Sequence, residues 1–441
     1  MTSSVRVLVL ILVVSGVVAC SGPSVSLDED PSKYTEVVSE LEARLEDNPD
    51  DVETLQRLGT IFMRTNRPAR AYDLLKKAFA QDPNDPQTMF FLGLASEGIG
   101  KQQAALKLFQ RYDEVPQDSQ YRTLMEGRYA WLVRQQAQEA ARRLVAQEQD
   151  LADRDPSPRV VAVLPFEFQG GEDRFQPLGR GLAEMVTTDL THIRRLKLVE
   201  RVRLQALLDE LELAQSDYVD QSTAPRVGRL LGAGRLVSGS YLVTQDEQLR
   251  LDLTLASLVD SGEIPDADAQ TGALDQLFQL QKELVYRVVD LLDIELTDRE
   301  RAAIEPVPTR NLQAFLAYSR GLLEEDRGNF DAASQLYQQA QQLDPTFQAP
   351  AQRASQTQGM SAAAGSREKA ISAGVQTRSQ ISSQRARSVI NRRLQRMTGF
   401  DGLGLGETER NLTEETTANE ELLPEPPSPP SPPSSTSGGG G

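Results

Sequence analysis

Between residues 34 and 109 apolar side chains recur at steps of three and four, the spacing that lines one face of an α-helix. The pattern then repeats: Gly59 and Gly93 stand 34 residues apart, as do Ala71 and Ala105. Each unit places a small residue in both of its helical stretches and closes on a proline, Pro83 or Pro116. Small residues let paired helices approach closely, and proline ends the second helix because it cannot extend the hydrogen-bond ladder. At residue 160 the rhythm changes. Residues 160–165 (VVAVLP) are a continuous apolar run, the pattern of a strand buried on both faces, and 178–193 return to helical spacing. A second strand is predicted at 196–199 and helices at 203–213 and 225–231. Two alternating segments, 236–244 and 249–259, flank the polar turn 245–248 as an antiparallel hairpin, and a closing helix spans 274–292. Strands that alternate with helices and end in a hairpin predict a mixed sheet covered by helices.

The repeating units carry more than a period. Leu55, Leu58, Gly59, Ala71, Leu75, Ala78 and Pro83 fall on the small and large positions of the tetratricopeptide pattern, and Met89, Leu92, Gly93, Ala105, Phe109 and Tyr112 follow in the second unit. A half unit, with a helix at about 34–46, precedes them. Far downstream Gly321, Ala333, Tyr337, Ala340 and Pro345 reproduce the spacing, with Gly328 and Asn329 in the turn. These segments resemble tetratricopeptide repeats. A lone unit cannot bury its own apolar face, so the downstream copy must pack on the N-terminal array or on the preceding domain. The resemblance implies protein partners held in a concave groove, part of which Arg57, Arg64 and Arg67 would make basic. Scaffolding without a ligand is the other reading.

At 441 residues the chain is too long for one core, and it divides by composition. Residues 1–19 read as a secretory signal: Arg6, then an apolar run from Val7 to Val14, resuming at Val17 and Val18. The run is too short to span about 30 Å of hydrocarbon comfortably. It ends on Val17-Val18-Ala19-Cys20, which resembles the bacterial lipobox. Cys20 is the chain's only cysteine, and lipidation accounts for both its position and its isolation. The expected anchor is a diacylglyceryl and N-acyl (palmitate-type) group on Cys20. Ser21 rather than aspartate after the cleavage point favours the outer membrane. A tether (20–33), the N-terminal repeats (34–116), a helical connector (117–158), the α/β domain (159–300) and the C-terminal repeat unit (306–350) follow. Residues 351–398 are a basic segment, read as a helix or, more often for such charge runs, a solvated linker. The acidic and Pro/Ser/Gly tail, 399–441, has the composition of disorder. The expected fold class is thus α+β and multidomain, with helical repeats flanking a mixed sheet.

A formal charge of -17 excludes general nucleic-acid binding, which needs a basic footprint. His192 is the only histidine, at a helix end beside Arg194 and Arg195, so two-histidine metal motifs are impossible and a structural role is expected. No GxxxxGK[ST] occurs; Gly402, Gly404 and Gly406 lie in the tail, and Gly232 and Gly234 precede a strand rather than a helix. No catalytic residue, cofactor or metal is expected. Within the α/β segment, 160–166 (VVAVLPF), Gly181-Leu182-Ala183-Glu184-Met185, Thr187-Thr188-Asp189-Leu190 and Leu198-Val199-Glu200-Arg201 resemble the curli-secretion lipoprotein CsgG and its relatives. The likeness runs on through 204–211, Ser222-Thr223-Ala224, Leu231-Gly232-Ala233, Val237-Ser238-Gly239-Ser240 and 255–264 (LASLVDSGEI). It implies a lipid-anchored periplasmic domain used in assembly, in many relatives as an oligomer, without enzymatic activity. The resulting expectation is an outer-membrane, periplasm-facing assembly or export scaffold acting through protein contacts. Two alternatives stay open: a subunit of a curli-type secretion channel, and a cell-wall enzyme if a carboxylate pair in the α/β domain lines a cleft. Against the channel, the turn 245–248 and the stretch 265–272 leave no room for membrane-spanning hairpins.

Overall fold

The structure, a computed structural model, describes residues 34–151, 155–212, 223–259 and 269–398. The segments expected as signal peptide, tether with Cys20 and acidic tail lie outside the described residues. Helix α1 (Tyr34–Asp47) leads into two helix pairs, α2 (Val52–Arg64) with α3 (Pro68–Gln81) and α4 (Pro86–Gly98) with α5 (Gln102–Gln110). The 34-residue period is built into their atoms. Asp51 caps α2 by accepting from the Thr54 amide at 3.3 Å, and Asp85 caps α4 through Thr88 at 2.7 Å. A Cβ on Gly59 would lie 2.5 Å from Leu75, and one on Gly93 would lie 2.5 Å from Phe109, so the side chain sixteen residues on fills the space the glycine leaves. Seven residues after each glycine the chain turns through the left-handed region, at Asn66 (φ 53°) and Gly100 (φ 77°). A long helix, α6 (Gln120–Ala146), and a single turn, α7 (Glu148–Leu151), follow.

The α/β region runs β1 (Ser157–Val163), β2 (Glu167–Phe168), α8 (Leu178–Thr191), β3 (Lys197–Leu198), α9 (Arg201–Glu210), α10 (Ala224–Leu231), β4 (Ala233–Val243), β5 (Gln248–Ser257), β6 (Gln270–Ala273), α11 (Leu277–Leu291) and α12 (Asp298–Ile304). The sheet order is β3-β1-β4-β5-β6, with β2 also on β4. Pairing is parallel through β3, β1 and β4 and antiparallel from β4 to β5 to β6. Alternate side chains explain the unbroken apolar run at 160–165. Val161 and Val163 enter a core with α8 and α11, whereas Ala162 and Leu164 enter a second core with α9, α10 and the end of α6. Leu249, Leu251, Leu253 and Leu255 of β5 belong to the first core and are buried beneath helices. The expected hairpin is present in register, Gly239 opposite Leu253. Two short pairings were not expected: residues 167–168 form β2 on β4, and residues 270–273, expected as part of a plain connection, form β6 on β5. Four residues of sequence QTGA carry no alternation, so their strand pairing could not be read from pattern.

The downstream repeat is α13 (Leu312–Asp326) with α14 (Phe330–Leu343). It repeats the N-terminal geometry: Asn311 caps Ala314, a Cβ on Gly321 would lie 2.4 Å from Tyr337, and Gly328 turns the chain at φ 80°. Of its two expected supports it takes the preceding domain, α13 packing on α8. Two more helices complete the described residues, α15 (Gln348–Ala363) and α16 (Arg367–Thr398). By contacts the chain divides into Met1–Arg378 and Ser379–Gly441, the described part of the second being the remainder of α16. The stretch read as a connector is more than a spacer. Helix α6 packs on α4 and α5, on α15 and on α9. Nor is 351–378 a solvated linker: α15 lies between α14 and α6, and Ala370, Ile371 and Val375 of α16 are buried. These helices pack through alanine and glycine, which hydropathy does not register.

Candidate functional site

Helix α13 ends in Glu324-Glu325-Asp326, and the last two carboxylates are buried. Buried charge needs opposite charge or hydrogen bonds, and here these come from several separate segments. Arg201, the first residue of α9, donates to Glu325 at 2.6 Å and also pairs with Asp326. Arg353 of α15 bridges Glu325 (3.0 Å) and Glu184 of α8 (2.5 Å). Arg180 of α8 donates to Asp326 at 3.1 Å, and the Tyr337 hydroxyl donates to Glu325 at 2.6 Å. Arg134 of α6 donates to the backbone carbonyls of Glu325 (3.1 Å) and Asp326 (2.7 Å), a cation placed where the dipole of α13 favours one.

This network borders a cleft of about 1010 Å³ between α6, α8, the start of α9, α13 and α15. Burial pushes the Glu325 carboxyl up, but Arg201 and Arg353, with Tyr337, outweigh it and hold it at about 2. For Asp326 burial prevails over Arg201 and Arg180, and its carboxyl is raised. Glu184 of the α/β domain and Glu325 of the downstream repeat line the cleft together, whereas the enzyme alternative asks for a pair within the α/β domain. Glu325 is also ionised near neutral pH and donates no proton, while Glu184 is held between Arg353 and Arg201 (3.6 Å). What the arrangement does is tie the repeat, the sheet domain and α6 together. Asp189, on the same helix as Glu184, adds a second tie. It accepts from Lys282 of α11 at 2.8 Å, and Lys282 also donates to the Ile304 carbonyl of α12 at 2.6 Å. Among the described residues no group of His, Cys, Asp or Glu is placed to hold a metal ion, and no helix is long and apolar enough to cross a membrane.

The structure places each of the three arginines expected in the N-terminal groove. Arg64 stacks over the Tyr34 ring at 5.6 Å, and Arg67 is exposed at the head of α3. Arg57 lies within electrostatic reach of Arg378 in α16. Cys20 is outside the described residues. The network residues Arg180, Arg201, Glu325 and Asp326 escaped the sequence because their partners are far apart in the chain. Glu184 and Arg201 do sit inside the motifs quoted for the resemblance, but nothing in those motifs signals the pairing.

A family model described as curli production assembly/transport component CsgG matches residues 139–250, and a tetratricopeptide repeat model matches 316–347. The chain carries a CsgG domain and a tetratricopeptide repeat. The CsgG match begins inside α6, consistent with Ala137 and Ala141 of that helix packing into the second core of the sheet. The repeat match covers most of α13 and all of α14. No curated protein matches the chain. Among solved structures it is similar to the crystal structure of the yeast Tom70, at 12% identity and a TM-score of 0.23, over 75% of this chain and 64% of that one.

Proposed function

We propose that this protein is a lipid-anchored, periplasm-facing scaffold at the outer membrane that organises assembly or export through protein contacts and without catalysis. The observation that carries the reading is the joining of a CsgG domain, whose family is described by curli assembly and transport, to helical repeats packed directly upon it. Tetratricopeptide repeats offer a protein-binding surface, and the CsgG match supports a place in the cell envelope. The clamped state of Glu184 and Glu325 supports the non-enzymatic part. The decisive experiment is crosslinking in native membranes followed by purification of the full-length protein. Crosslinked peptides from other proteins should map to 34–116 and 312–343; finding none there would remove the scaffold reading.

The anchor is tested separately. Cys20→Ser should move the protein from the membrane to the soluble fraction, because two or more acyl chains hold a protein where one holds it marginally, at about 0.8 kcal/mol per buried CH₂. An unmodified mature N-terminus by intact mass would refute lipidation.

The channel alternative predicts stepwise currents in planar bilayers, and we expect none. A membrane-spanning strand needs about 9–11 residues with an apolar lipid face, and each hairpin needs two. The connection from β4 to β5 is a tight turn, Thr244 closing onto Gln248, and the β5 leucines are already in the core. Between β5 and β6 only residues 258–269 remain, too few for two such strands. Reproducible single-channel steps from the purified protein would reverse this assignment.

A further inference from the structure

Positive charge in the cleft beside Glu325 is fully engaged, whereas negative charge is not. Four arginines line it, Arg122, Arg134, Arg201 and Arg353. Arg201 and Arg353 bridge carboxylates of α8 and α13, and Arg134 holds the end of α13. Arg122 donates to the backbone carbonyls of Asp113 at 3.1 Å and Val115 at 2.6 Å. On the same side, Asp113 and Glu126 of α6 line the cleft and form no ion pair among the described residues. Glu126 is half-buried, and its one hydrogen-bond partner is the Ser355 hydroxyl, which donates to Oε2 at 2.7 Å. Burial pushes the Glu126 carboxyl up, and neither Ser355 nor the charge of Arg122 restores it. A half-buried carboxylate without a paired cation is destabilising unless a cation reaches it from outside.

The groups around Glu126 suit a cation. The rings of Tyr112 and Tyr129 lie 6.2 Å apart at 41°, and both line the cleft. After burial, Glu126 and Asp113 are the main charges raising the Tyr112 hydroxyl, so carboxylates and rings share one neighbourhood. Arg122 already stands over the Tyr112 ring at 5.7 Å, the attraction that aromatic faces have for positive charge. Farther along the lining, Tyr318 is only 3% exposed, yet its hydroxyl bonds to no described residue. The hydroxyl of Tyr129 and the amide of Gln356 are likewise unpartnered among the described residues. An anion would find every guanidinium engaged and Glu126 repelling it. An apolar ligand would strand the hydroxyls and the amide away from water. A cation that carries hydrogen-bonding groups satisfies both sets.

We propose that this cleft is a binding site for an ammonium or guanidinium group, which pairs with the Glu126 carboxylate beside the rings of Tyr112 and Tyr129. At about 1010 Å³ the cleft has room for more than the charged head, and Tyr318 and Gln356 offer hydrogen bonds to the rest of the ligand. Two sources share this chemistry: a lysine or arginine side chain of a protein segment, and a free polyamine. The site does not depend on the repeats recruiting proteins, so its failure would leave that reading standing.

The test titrates purified full-length protein against a fluorescein-labelled pentapeptide with one central lysine among glycines, read by anisotropy at physiological ionic strength. The comparison peptide carries norleucine, which keeps the methylenes and removes the charge. Wild type should bind the lysine peptide at least about tenfold more tightly, the scale of one charge-assisted contact. Glu126→Gln should lose that preference, whereas Glu42→Gln, which removes an exposed carboxylate from α1, should keep it. Glutamine at 126 can still accept from Ser355, so the urea midpoint of the ligand-free variant should equal or exceed that of wild type. Competition by unlabelled 1,5-diaminopentane then separates the sources. Weaker displacement than by unlabelled lysine peptide assigns the site to a protein side chain, and stronger displacement to a free polyamine; both support a cation site. No preference for lysine over norleucine up to millimolar peptide, or a preference that survives Glu126→Gln, would overturn the proposal. A lower urea midpoint for Glu126→Gln would make Glu126 an internal partner of Arg122 and overturn it as well.

Discussion

A leucine in place of Gly127 is expected to lower the free energy of unfolding by about 3 kcal/mol or more, among the largest effects available from one surface-remote substitution in this chain. Helices α6 and α15 cross with their backbones in contact. A Cβ on Gly127 would lie 1.9 Å from the carbonyl carbon of Gly359 and 2.3 Å from its oxygen, and a Cβ on Gly359 would lie 2.1 Å from the Thr123 carbonyl. Two effects oppose each other. Replacing glycine within a helix gains roughly 0.8–1 kcal/mol of propensity, whereas overpacking costs about 1–3 kcal/mol even where side chains can rotate away. Here the obstacle is backbone, which cannot rotate away, so the helices must separate. Separation also strains the bonds on either side, from Arg128 to the Ala363 carbonyl (2.8 Å) and from Ser355 to Glu126 (2.7 Å). Arg128 is itself paired with Glu97 of α4 at 2.5 Å, so the disturbance reaches the N-terminal array. Urea unfolding of wild type and Gly127→Leu measures the difference; equal midpoints would mean that the crossing is looser than described.

That crossing also marks the boundary of what sequence patterning reveals. Strands β1, β4 and β5 were legible because burial on one or both faces writes itself into apolar runs and alternation, as in Val161, Ala162 and Val163 or the leucines of β5. The repeats were legible because Gly59 and Gly93, with Ala71 and Ala105, recur at one spacing, and the same contact of glycine with the residue sixteen later reappears at Gly321 and Tyr337. The resemblance to CsgG was legible for the same reason, being an ordered series of short motifs. Residues 351–378 failed every such test. Gly359, Ala363, Ala370 and Gly374 look polar or neutral to a hydropathy scale, yet small residues are what close helix packing requires. The β2 and β6 pairings were invisible for a different reason: two and four residues hold too little pattern to signal a strand. The arginine and carboxylate network was hidden by distance along the chain, since Arg353 meets Glu184 across 169 residues.

Glu325→Gln is expected to cost about 3 kcal/mol at neutral pH, the scale of removing one member of a buried ion pair. Glutamine keeps the shape and can still accept from Tyr337, so the loss is that of charge rather than of packing. Arg201 retains Asp326 and Glu184, and Arg353 retains Glu184, which is why the effect should fall at the lower end of the range. The pH dependence separates this account from a steric one. Glu325 has a folded-state pKa held at about 2, below the unfolded value of roughly 4.3, so its contribution is fully present above the unfolded value and is lost as pH falls toward about 2. Asp326, its carboxyl raised by burial and also by the neighbouring Glu325 charge, sits lower in Glu325→Gln, and its titration offsets part of the decline. The wild-type advantage over Glu325→Gln should accordingly be smaller near pH 3 than at pH 7, for as long as both chains remain folded. Denaturant midpoints for the two proteins at a series of pH values give the curve directly. A gap that stays the same from pH 7 down to pH 3 would assign the cost to packing and remove the charge network as the tie between the repeat and the sheet domain.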